Sequence, residues 1–407
     1  MISNFHLKNN IKKNHFSFDL KKRLSKNYDK IFNKIVNQIK LDRNTLNVLN
    51  ENFIFNFKTN HLNRFQKFKN IVVIGMGGSI LGIEAIYQFL HHKIKKNCYF
   101  LGDFDIKKIE HIKKKLKKNK TLYLVISKSG NTIETLSTSF FLEIFKKDSK
   151  NIILISERKN NVLFNLAKNK NLFYIEHKNF IGGRYSVLSE VGMIPAFLMG
   201  LNIRKLRLNI KKFIKNKKEK IFLKESVIMM STLLAQGKYK NLIFLNYSPK
   251  LEKFVYWCQQ LIAESLGKKG KGFLPTISNV PKDHHSLLQL YLDGPKDKIF
   301  QIISIKKEDG GKKIKIPFSN NNEMKYLENK DLNTIKEAQK KALIETLRFN
   351  KIPYREFQFR KKNQELLGEL FSYFILETVL IAEILKINPY NQPAVEQVKS
   401  FTKKFLK

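Results

Sequence analysis

The sequence contains very little cysteine. Cys98 and Cys258 are the only two among 407 residues, too few for the disulfide framework of a small secreted protein. Neither belongs to a CxxC motif or to a cluster of cysteine and histidine, so we expect no metal site. Cysteines without such a role are typical of proteins in a reducing compartment, and the sequence therefore predicts a cytoplasmic protein.

Long apolar runs are also absent. The first 18 residues lack the apolar core of a signal peptide. The most apolar stretch, residues 371–385, contains Glu377 and Glu383, and carboxylates are rare in membrane-spanning helices. We predict neither a secretion signal nor contact with a membrane.

Acidic residues are few, because 34 Asp and Glu stand against 77 Lys and Arg, which gives a net charge of +43. Such a surplus is compatible with nucleic-acid binding, but only ten of the basic residues are arginine, and the chain is rich in Asn, Ile and Phe. An AT-rich coding sequence explains this combination better than a nucleic-acid interface, which would cluster arginines and aromatic residues. We expect no nucleic-acid partner, although basic runs can steer an anionic substrate.

Enough apolar residues are present for a large core, since 43% of the residues are hydrophobic. Short β-branched runs followed by turns and helical patterns occur at 71–74, 122–126, 151–155, 242–245 and 299–305. Alternating strands and helices predict an α/β fold of parallel sheets covered by helices, with ligands at the carboxyl ends of the strands.

The expected organisation has three parts. They are an amino-terminal helical segment (1–65), a first α/β domain (66–205) and a second α/β domain with carboxyl-terminal helices (206–407). The lysine-rich stretch 206–224 is the candidate boundary between the two domains. The almost wholly apolar stretch 368–385 is expected to form a buried helix.

The first candidate binding segment is the glycine-rich turn at 75–82. Ile80 stands where a dinucleotide fingerprint needs its third glycine, and no GK[ST] follows for a P-loop. Adjacent glycines would let the backbone approach a ligand, and Ser79 could contact that ligand or simply cap the helix.

The second candidate segment, residues 127–135, places four hydroxyl groups at one junction between a strand and a helix. The free N–H groups and the positive end of the helix dipole lie at the same place. A bound phosphate monoester explains the whole cluster, whereas a helix cap formed by Asn131 and Glu134 explains only two of its residues.

Two segments contain candidate catalytic groups. Arg184 follows two glycines in a lysine-rich protein, and its planar, always-charged fork suits a developing oxyanion, although a structural salt bridge is the alternative. Gln260 and Glu264 lie four residues apart on one helix face. A carboxylate near the end of a helix is unfavourable to the dipole, which favours a function for Glu264 over an ordinary surface position.

Two more segments are weaker candidates. His284 and His285 lie in a loop before an apolar segment, and histidine titrates near neutral pH, so one of them could act as an acid or base. An exposed pair without a function is the alternative. Pro393 is expected in the first turn of a helix, and Lys399 follows two turns later.

Together these segments resemble the glucose-6-phosphate isomerase family, from about Val72 to Lys399. Six motifs occur in the order of the family: IGMGGSILG, SKSGNTIET, GGRYSVLSEVGMIPA, QQLIAESLGK, KDHHSLLQLYLDGP and GELFSYFILETVLIAEILKINPYNQPAVEQVK. The chain departs from the family pattern at Ile83, His284, Ala394 and Val398, where the family usually has Pro, Gln, Gly and Gly.

The resemblance implies two sugar isomerase (SIS) domains, each a parallel α/β/α sandwich, in a homodimer with active sites near the subunit interface. It also implies reversible conversion of glucose 6-phosphate to fructose 6-phosphate by ring opening and a cis-enediolate, with no metal or organic cofactor. The implied catalytic residues are Glu264 as the base, His285 and Lys399 for ring opening, and Arg184 for the enediolate. The implied substrate contacts are Gly78, Ser79, Ser127, Lys128, Ser129, Thr132, Thr135, Gln260 and Gln392.

Two alternatives to this function remain. The first is an isomerase of a related sugar phosphate such as mannose 6-phosphate. The second is a SIS protein that senses sugar phosphates without catalysis, which would be expected to lack Glu264 or Arg184, whereas both are present.

Overall fold

The structure is a computed structural model that describes residues 5–117, 120–306, 311–316 and 322–406. The amino-terminal part contains β1 (Phe5–Asn9), α1 (Phe18–Ser25), α2 (Tyr28–Lys40) and α3 (Thr59–Leu62). The next part contains β2 (Asn70–Gly75), α4 (Leu81–Leu90), β3 (Asn97–Leu101), α5 (Ile106–Lys115), β4 (Thr121–Ile126), α6 (Ile133–Phe141), β5 (Ile152–Ser156), α7 (Val162–Asn169) and β6 (Phe173–Glu176).

Four helices connect this part to the second series of strands: α8 (Glu190–Leu198), α9 (Ile203–Arg207), α10 (Lys212–Lys215) and α11 (Lys217–Gln236). The second series contains β7 (Asn241–Asn246), α12 (Glu252–Leu266), β8 (Leu274–Asn279), α13 (Leu288–Leu292), β9 (Lys298–Ile305), α14 (Leu332–Phe349), β10 (Tyr354–Phe359), α15 (Gln364–Ile384) and α16 (Glu396–Phe405).

The first sheet has the strand order β3-β2-β4-β5-β6, and every neighbouring pair is parallel. Strand β4 is buried at all six positions, because helices cover both faces of a parallel sheet. This burial explains why the strand reads as a continuous apolar run. The strands predicted at 71–74, 122–126 and 151–155 are confirmed as β2, β4 and β5.

The second sheet has the order β1-β10-β9-β7-β8. Four of its strands are parallel, and β1 pairs antiparallel with β10 at the edge, with Phe5 opposite Phe359. The segment expected to be helical therefore also contributes a strand. Five residues are too few to show a strand pattern, and the edge that pairs with them is formed near the other end of the chain. The domain boundaries at 65 and 205 remain predictions.

The main hydrophobic core includes residues from both halves of the chain, among them α11, α12 and α15. Helix α15 is buried along nearly its whole length, which confirms the prediction for the apolar stretch 368–385. Despite this apolar character, no helix within the described ranges meets the length and hydropathy that a membrane span requires.

A buried ion pair ties α15 to the second sheet. Arg355 of β10 is fully buried and its Nη1 lies 2.5 Å from Glu377 Oε1. Ser226 of α11 and Tyr373 of α15 donate to the same carboxylate oxygen at 2.6 and 2.8 Å. Burial is the largest single influence and would raise the pKa of Glu377, but the charge and hydrogen bond of Arg355, together with the hydrogen bonds from Ser226 and Tyr373, hold that pKa below its ordinary value.

We expect Arg355→Met to lower the free energy of unfolding by about 3–5 kcal/mol, because it leaves the carboxylate of Glu377 buried without a counter-charge. The double variant Arg355→Met/Glu377→Gln should lose less, since a neutral amide can still accept from Ser226 and Tyr373. Urea unfolding of both variants and the parent measures this difference. A double variant less stable than Arg355→Met would contradict the assignment of the cost to the unpaired charge.

Candidate active site

The candidate site lies where the strand order of the first sheet reverses. The chain goes from β2 to β3 on one side and returns to β4 on the other, so the loops after β2 and β4 diverge. Such a switch point leaves a crevice at the carboxyl ends of parallel strands. The two turns selected from the sequence, at 75–82 and 127–135, follow these two strands. Both turns therefore lie at the carboxyl ends of parallel strands, the edge of the sheet where the sequence predicted a ligand site.

The glycine-rich turn after β2 packs directly on the backbone of Gly183 and Arg184. A Cβ on Gly78 would lie 2.2 Å from the carbonyl carbon of Gly183 and 2.6 Å from the backbone nitrogen of Arg184. Gly77 has φ of +52°, and a Cβ there would lie 2.8 Å from Gln260 Nε2. Ser79 is buried at the end of the same turn. These glycines let the backbone pack against the residues that hold the candidate catalytic groups.

The hydroxyl groups after β4 form a cluster. Ser127 Oγ lies 2.8 Å from Thr132 Oγ1, and Ser129 Oγ lies 3.5 Å from both oxygens. The backbone N–H of Gly130 donates to Ser127 Oγ at 3.1 Å. Thr135 is one turn further along α6, and its buried Oγ1 has no hydrogen-bond partner among the described residues. The structure thus brings together three of the four hydroxyls and places the fourth behind them.

The helix cap weighed against phosphate binding does not form. Thr132 is the N-cap residue of α6, and its side chain makes no capping bond to the helix. Asn131 Oδ1 instead accepts from the backbone N–H of Val162 at 3.0 Å, which ties the loop to the next connection along the sheet. The first N–H groups of α6 are therefore left to other acceptors.

Lys128 lies beside this loop and pairs with Glu157, with 3.6 Å between Nζ and Oε1. Burial lowers the pKa of Lys128, while the carboxylate of Glu157 opposes that shift and Arg184 contributes to it.

Arg184 is the most highly bonded side chain of the site and is only 2% exposed. Its Nε donates to Ser265 Oγ at 2.9 Å, and its Nη1 donates to Glu264 Oε2 at 2.8 Å and to Gln392 Oε1 at 3.0 Å. Its Nη2 donates to the carbonyls of Pro389 and Asn391. A guanidinium has five N–H donors, so all of them are used.

Glu264 lies in the last turn of α12, with 34% of its side chain exposed. Gln260, one turn earlier, donates from Nε2 to the second carboxylate oxygen at 2.8 Å. Both oxygens of Glu264 are therefore held, one by an amide and the other by Arg184. The structure brings together four residues selected from the sequence: Arg184, Gln260, Glu264 and Gln392.

His285 and Lys399 do not join this group. His285 is exposed in the loop before α13, and no described residue makes a hydrogen bond to its side chain. Its neighbour His284 lies 3.1 Å from the hydroxyl of Tyr247. Lys399 lies on α16, where its side chain is 60% exposed and pairs with Glu396 at 2.7 Å.

Three residues near Glu264 were not selected from the sequence. Tyr185 and Ser265 share a hydrogen bond of 2.8 Å, and the Tyr185 hydroxyl also donates to the carbonyl of Pro389 at 2.9 Å. Lys268 donates to carbonyl groups in the last turn of α12. A signal existed for Lys268, because basic side chains just after a helix often bind its last carbonyls.

The chain is similar to known proteins of one family. The sequence model of the phosphoglucose isomerase family matches residues 38–293. A probable glucose-6-phosphate isomerase from Methanococcus maripaludis is 33% identical over 87% of this chain and 82% of that protein. A glucose-6-phosphate isomerase from Mycoplasmopsis synoviae is 32% identical over 82% of this chain and 81% of that protein.

Solved structures show the same fold. A hypothetical protein from Thermus thermophilus has a TM-score of 0.82 at 23% identity, over 99% of both chains. A glucose-6-phosphate isomerase from Chlamydia trachomatis has a TM-score of 0.75 at 15% identity, over 100% of this chain and 89% of that one.

The fold is of the α/β class, with two sheets flanked by helices in which every strand pair is parallel except the edge pair of β1 and β10. The family model and the relatives narrow the class further, because each covers well over half of the chain. This chain belongs to the phosphoglucose isomerase family. The predicted resemblance is confirmed.

Gly78 and Gly183 are in contact, but they differ in the space they leave for a side chain. Gly78→Ala should lower the free energy of unfolding by about 1–3 kcal/mol, because the added methyl group would overlap the backbone of Gly183. Gly183→Ala is the matched control, since its Cβ would lie 3.9 Å from Gly78 Cα, an ordinary contact. Urea unfolding measures both variants, and equal losses would contradict the packing shown here.

Proposed function

We propose that this protein interconverts glucose 6-phosphate and fructose 6-phosphate, a reaction of glycolysis and gluconeogenesis. The observation that carries the proposal is Glu264, a partly exposed carboxylate whose two oxygens accept hydrogen bonds from a buried arginine and from Gln260. The relatives carry the name of this activity, and the residues that the resemblance implies for it are present in this chain.

The substrate phosphate is proposed to bind at the loop after β4. Ser127, Ser129 and Thr132 offer hydroxyl donors, and the uncapped start of α6 offers backbone N–H groups to an anion. Lys128 adds a positive charge nearby. Gly78 and Ser79, in the turn after β2, are proposed to contact the sugar.

Glu264 is proposed to move the proton of the isomerisation. A carboxylate can remove the proton from C2 of the open-chain aldose and return it to C1, while the proton of the C2 hydroxyl moves to O1, and the enediolate forms between these steps. Gln260 and Arg184 fix the carboxylate before the substrate arrives, so little reorganisation is needed when the proton moves.

Arg184 is proposed to stabilise the negative charge of the enediolate. All five of its donors are used in the described structure, so an oxyanion must replace one of the two present acceptors of Nη1, Glu264 or Gln392. Lysine has only three donors and a point charge, and it would leave several of these acceptors unpaired. The sequence argument for a retained arginine is thus supported by its hydrogen bonds.

The base assignment predicts a large loss of turnover in Glu264→Gln, by roughly 10²- to 10⁴-fold, because a neutral amide cannot accept the proton. The loss should appear in kcat with fructose 6-phosphate in a coupled assay, while the binding of substrate persists. Glu252→Gln on the same helix is the control, since its side chain accepts from Asn279 and an amide can do the same. Normal turnover in Glu264→Gln would remove Glu264 from the mechanism.

Ring opening and the homodimer belong to the same proposal. His285 and Lys399 are proposed to open the pyranose ring, and His285 is proposed to act in the site of the neighbouring subunit. Its exposure and the absence of contact with Glu264 in its own chain are compatible with that arrangement. Helix α16, which carries Lys399, exposes Val398 and Phe405 by 66% and 83%, so it has an apolar face available for a subunit contact.

Mixed dimers test the shared site. Equal amounts of inactive His285→Ala and inactive Glu264→Gln protein should regain activity as subunits exchange, because one of the two sites in each mixed dimer then has both groups intact. A mixture of His285→Ala with itself, treated in the same way, is the control. Mixed dimers verified by mass and still inactive, or a fully active monomer, would contradict the proposal.

A cytoplasmic location completes the proposal. It rests on the free thiols Cys98 and Cys258, neither of which forms a disulfide, as is common in a reducing compartment.

A further inference from the structure

The last turn of α12 carries Glu264 and Ser265, and the final carbonyl groups of a helix have no partners within the helix. The backbone N–H of Gly267 donates to the carbonyl of Ala263, and the backbone N–H of Lys268 donates to the carbonyl of Leu266. The two carbonyls between them are bound by a side chain, because Lys268 Nζ donates to Glu264 at 2.6 Å and to Ser265 at 2.8 Å. One ammonium group thus completes the hydrogen bonding of this turn.

A tight hairpin fixes the backbone of Lys268. Lys268 and Lys271 exchange two backbone hydrogen bonds of 3.1 and 3.0 Å. The residues between them, Lys269 and Gly270, have φ values of +55° and +69°. Positive φ at both central positions is typical of a type I′ turn, in which glycine is favoured at the second of them. Lys268 therefore follows α12 on a fixed turn.

The charge of Lys268 also acts on the site. Burial first and the Arg184 guanidinium second lower the pKa of Lys268 to about 8, although the Glu264 carboxylate opposes them. Lys269 and Lys271 are the other charged groups of the turn. A positive charge at the negative end of the α12 dipole offsets the field that disfavours an ionised carboxylate there.

The same turn also supports Arg184. Ser265 accepts from Arg184 Nε at 2.9 Å and shares a hydrogen bond with Tyr185. A shift of the last turn of α12 would therefore move the Glu264 carboxylate together with Ser265, which accepts a hydrogen bond from Arg184. Lys268 makes no hydrogen bond to either side chain, so its effect must pass through the backbone it holds and through its charge.

We propose that Lys268 is a positioning residue for the isomerisation, which holds the last turn of α12 in place and supplies a positive charge beside Glu264 and Arg184. This inference rests on the proposed function. It gives a role to the final lysine of the QQLIAESLGK segment, a residue that nothing in the reaction itself requires.

Steady-state kinetics over a range of pH test the inference in the full-length protein, with fructose 6-phosphate as substrate. Lys268→Met keeps the stem of the side chain but removes the donors and the charge, and it should lower kcat/KM by roughly 10- to 100-fold, as expected for a misplaced catalytic group. Lys269→Met, one residue away, removes the same charge from an exposed position and should leave kcat/KM unchanged.

The alkaline side of the pH profile separates positioning by charge from a purely structural role. Above about pH 8 the wild-type ammonium loses its proton, and the neutral amine keeps two N–H donors, so the bonds persist while the charge disappears. We expect kcat/KM of the wild type to fall in that range. Lys268→Arg stays charged, so its fall should move to higher pH.

The outcomes are distinct. Equal kcat/KM in Lys268→Met and Lys269→Met, or an alkaline limb in Lys268→Arg that coincides with the wild type, overturns the inference. Wild-type protein without isomerase activity overturns the proposed function instead. Urea unfolding accompanies the kinetics, and if Lys268→Met does not fold, the alkaline limb of Lys268→Arg decides alone.

Discussion

The guanidinium of Arg184 makes five hydrogen bonds to parts of the chain that are far apart in sequence. They reach α12, the segment that precedes α16 and the Glu264 carboxylate, while the arginine itself follows the glycine pair that packs on the turn after β2. A buried guanidinium with an unpaired N–H would lose much of its hydration without compensation. The position of each of these segments is therefore linked to the others through one side chain.

This linkage has a chemical consequence, because the crevice has two unlike walls. On the side of β4, where the substrate phosphate is proposed to bind, the wall consists of small hydroxyl groups and an uncapped helix start. On the side of α12 the reacting carbons would meet a carboxylate whose two oxygens are already hydrogen-bonded. The phosphate site can adapt, since hydroxyl groups rotate. The carboxylate is held more firmly, because each of its oxygens accepts a hydrogen bond.

The sequence predicted the strands that are buried on both faces, such as β4, because such strands read as β-branched runs. It also predicted Arg184 and Glu264, since each stands where its residue type is costly or unexpected. The short edge strand β1 gave no pattern, because its pairing depends on β10. Lys268 was not selected for a related reason. Its side chain binds two backbone carbonyl groups, and because every residue has a carbonyl group, this contact leaves no pattern in the sequence. In the proposal, the distances from His285 and Lys399 to Glu264 depend on how two subunits associate. The sequence of one chain does not determine that association.

The pairing of β1 with β10 constrains the order of assembly. The strand at Phe5–Asn9 is synthesised long before its partner at Tyr354–Phe359. Contacts between such distant segments form late, because a long loop must close first. All strands of the first sheet have been synthesised by Glu176, whereas β1 has no partner in the second sheet until β10 emerges from the ribosome. The pairing of β1 with β10 thus completes the second sheet only after β10 has been made.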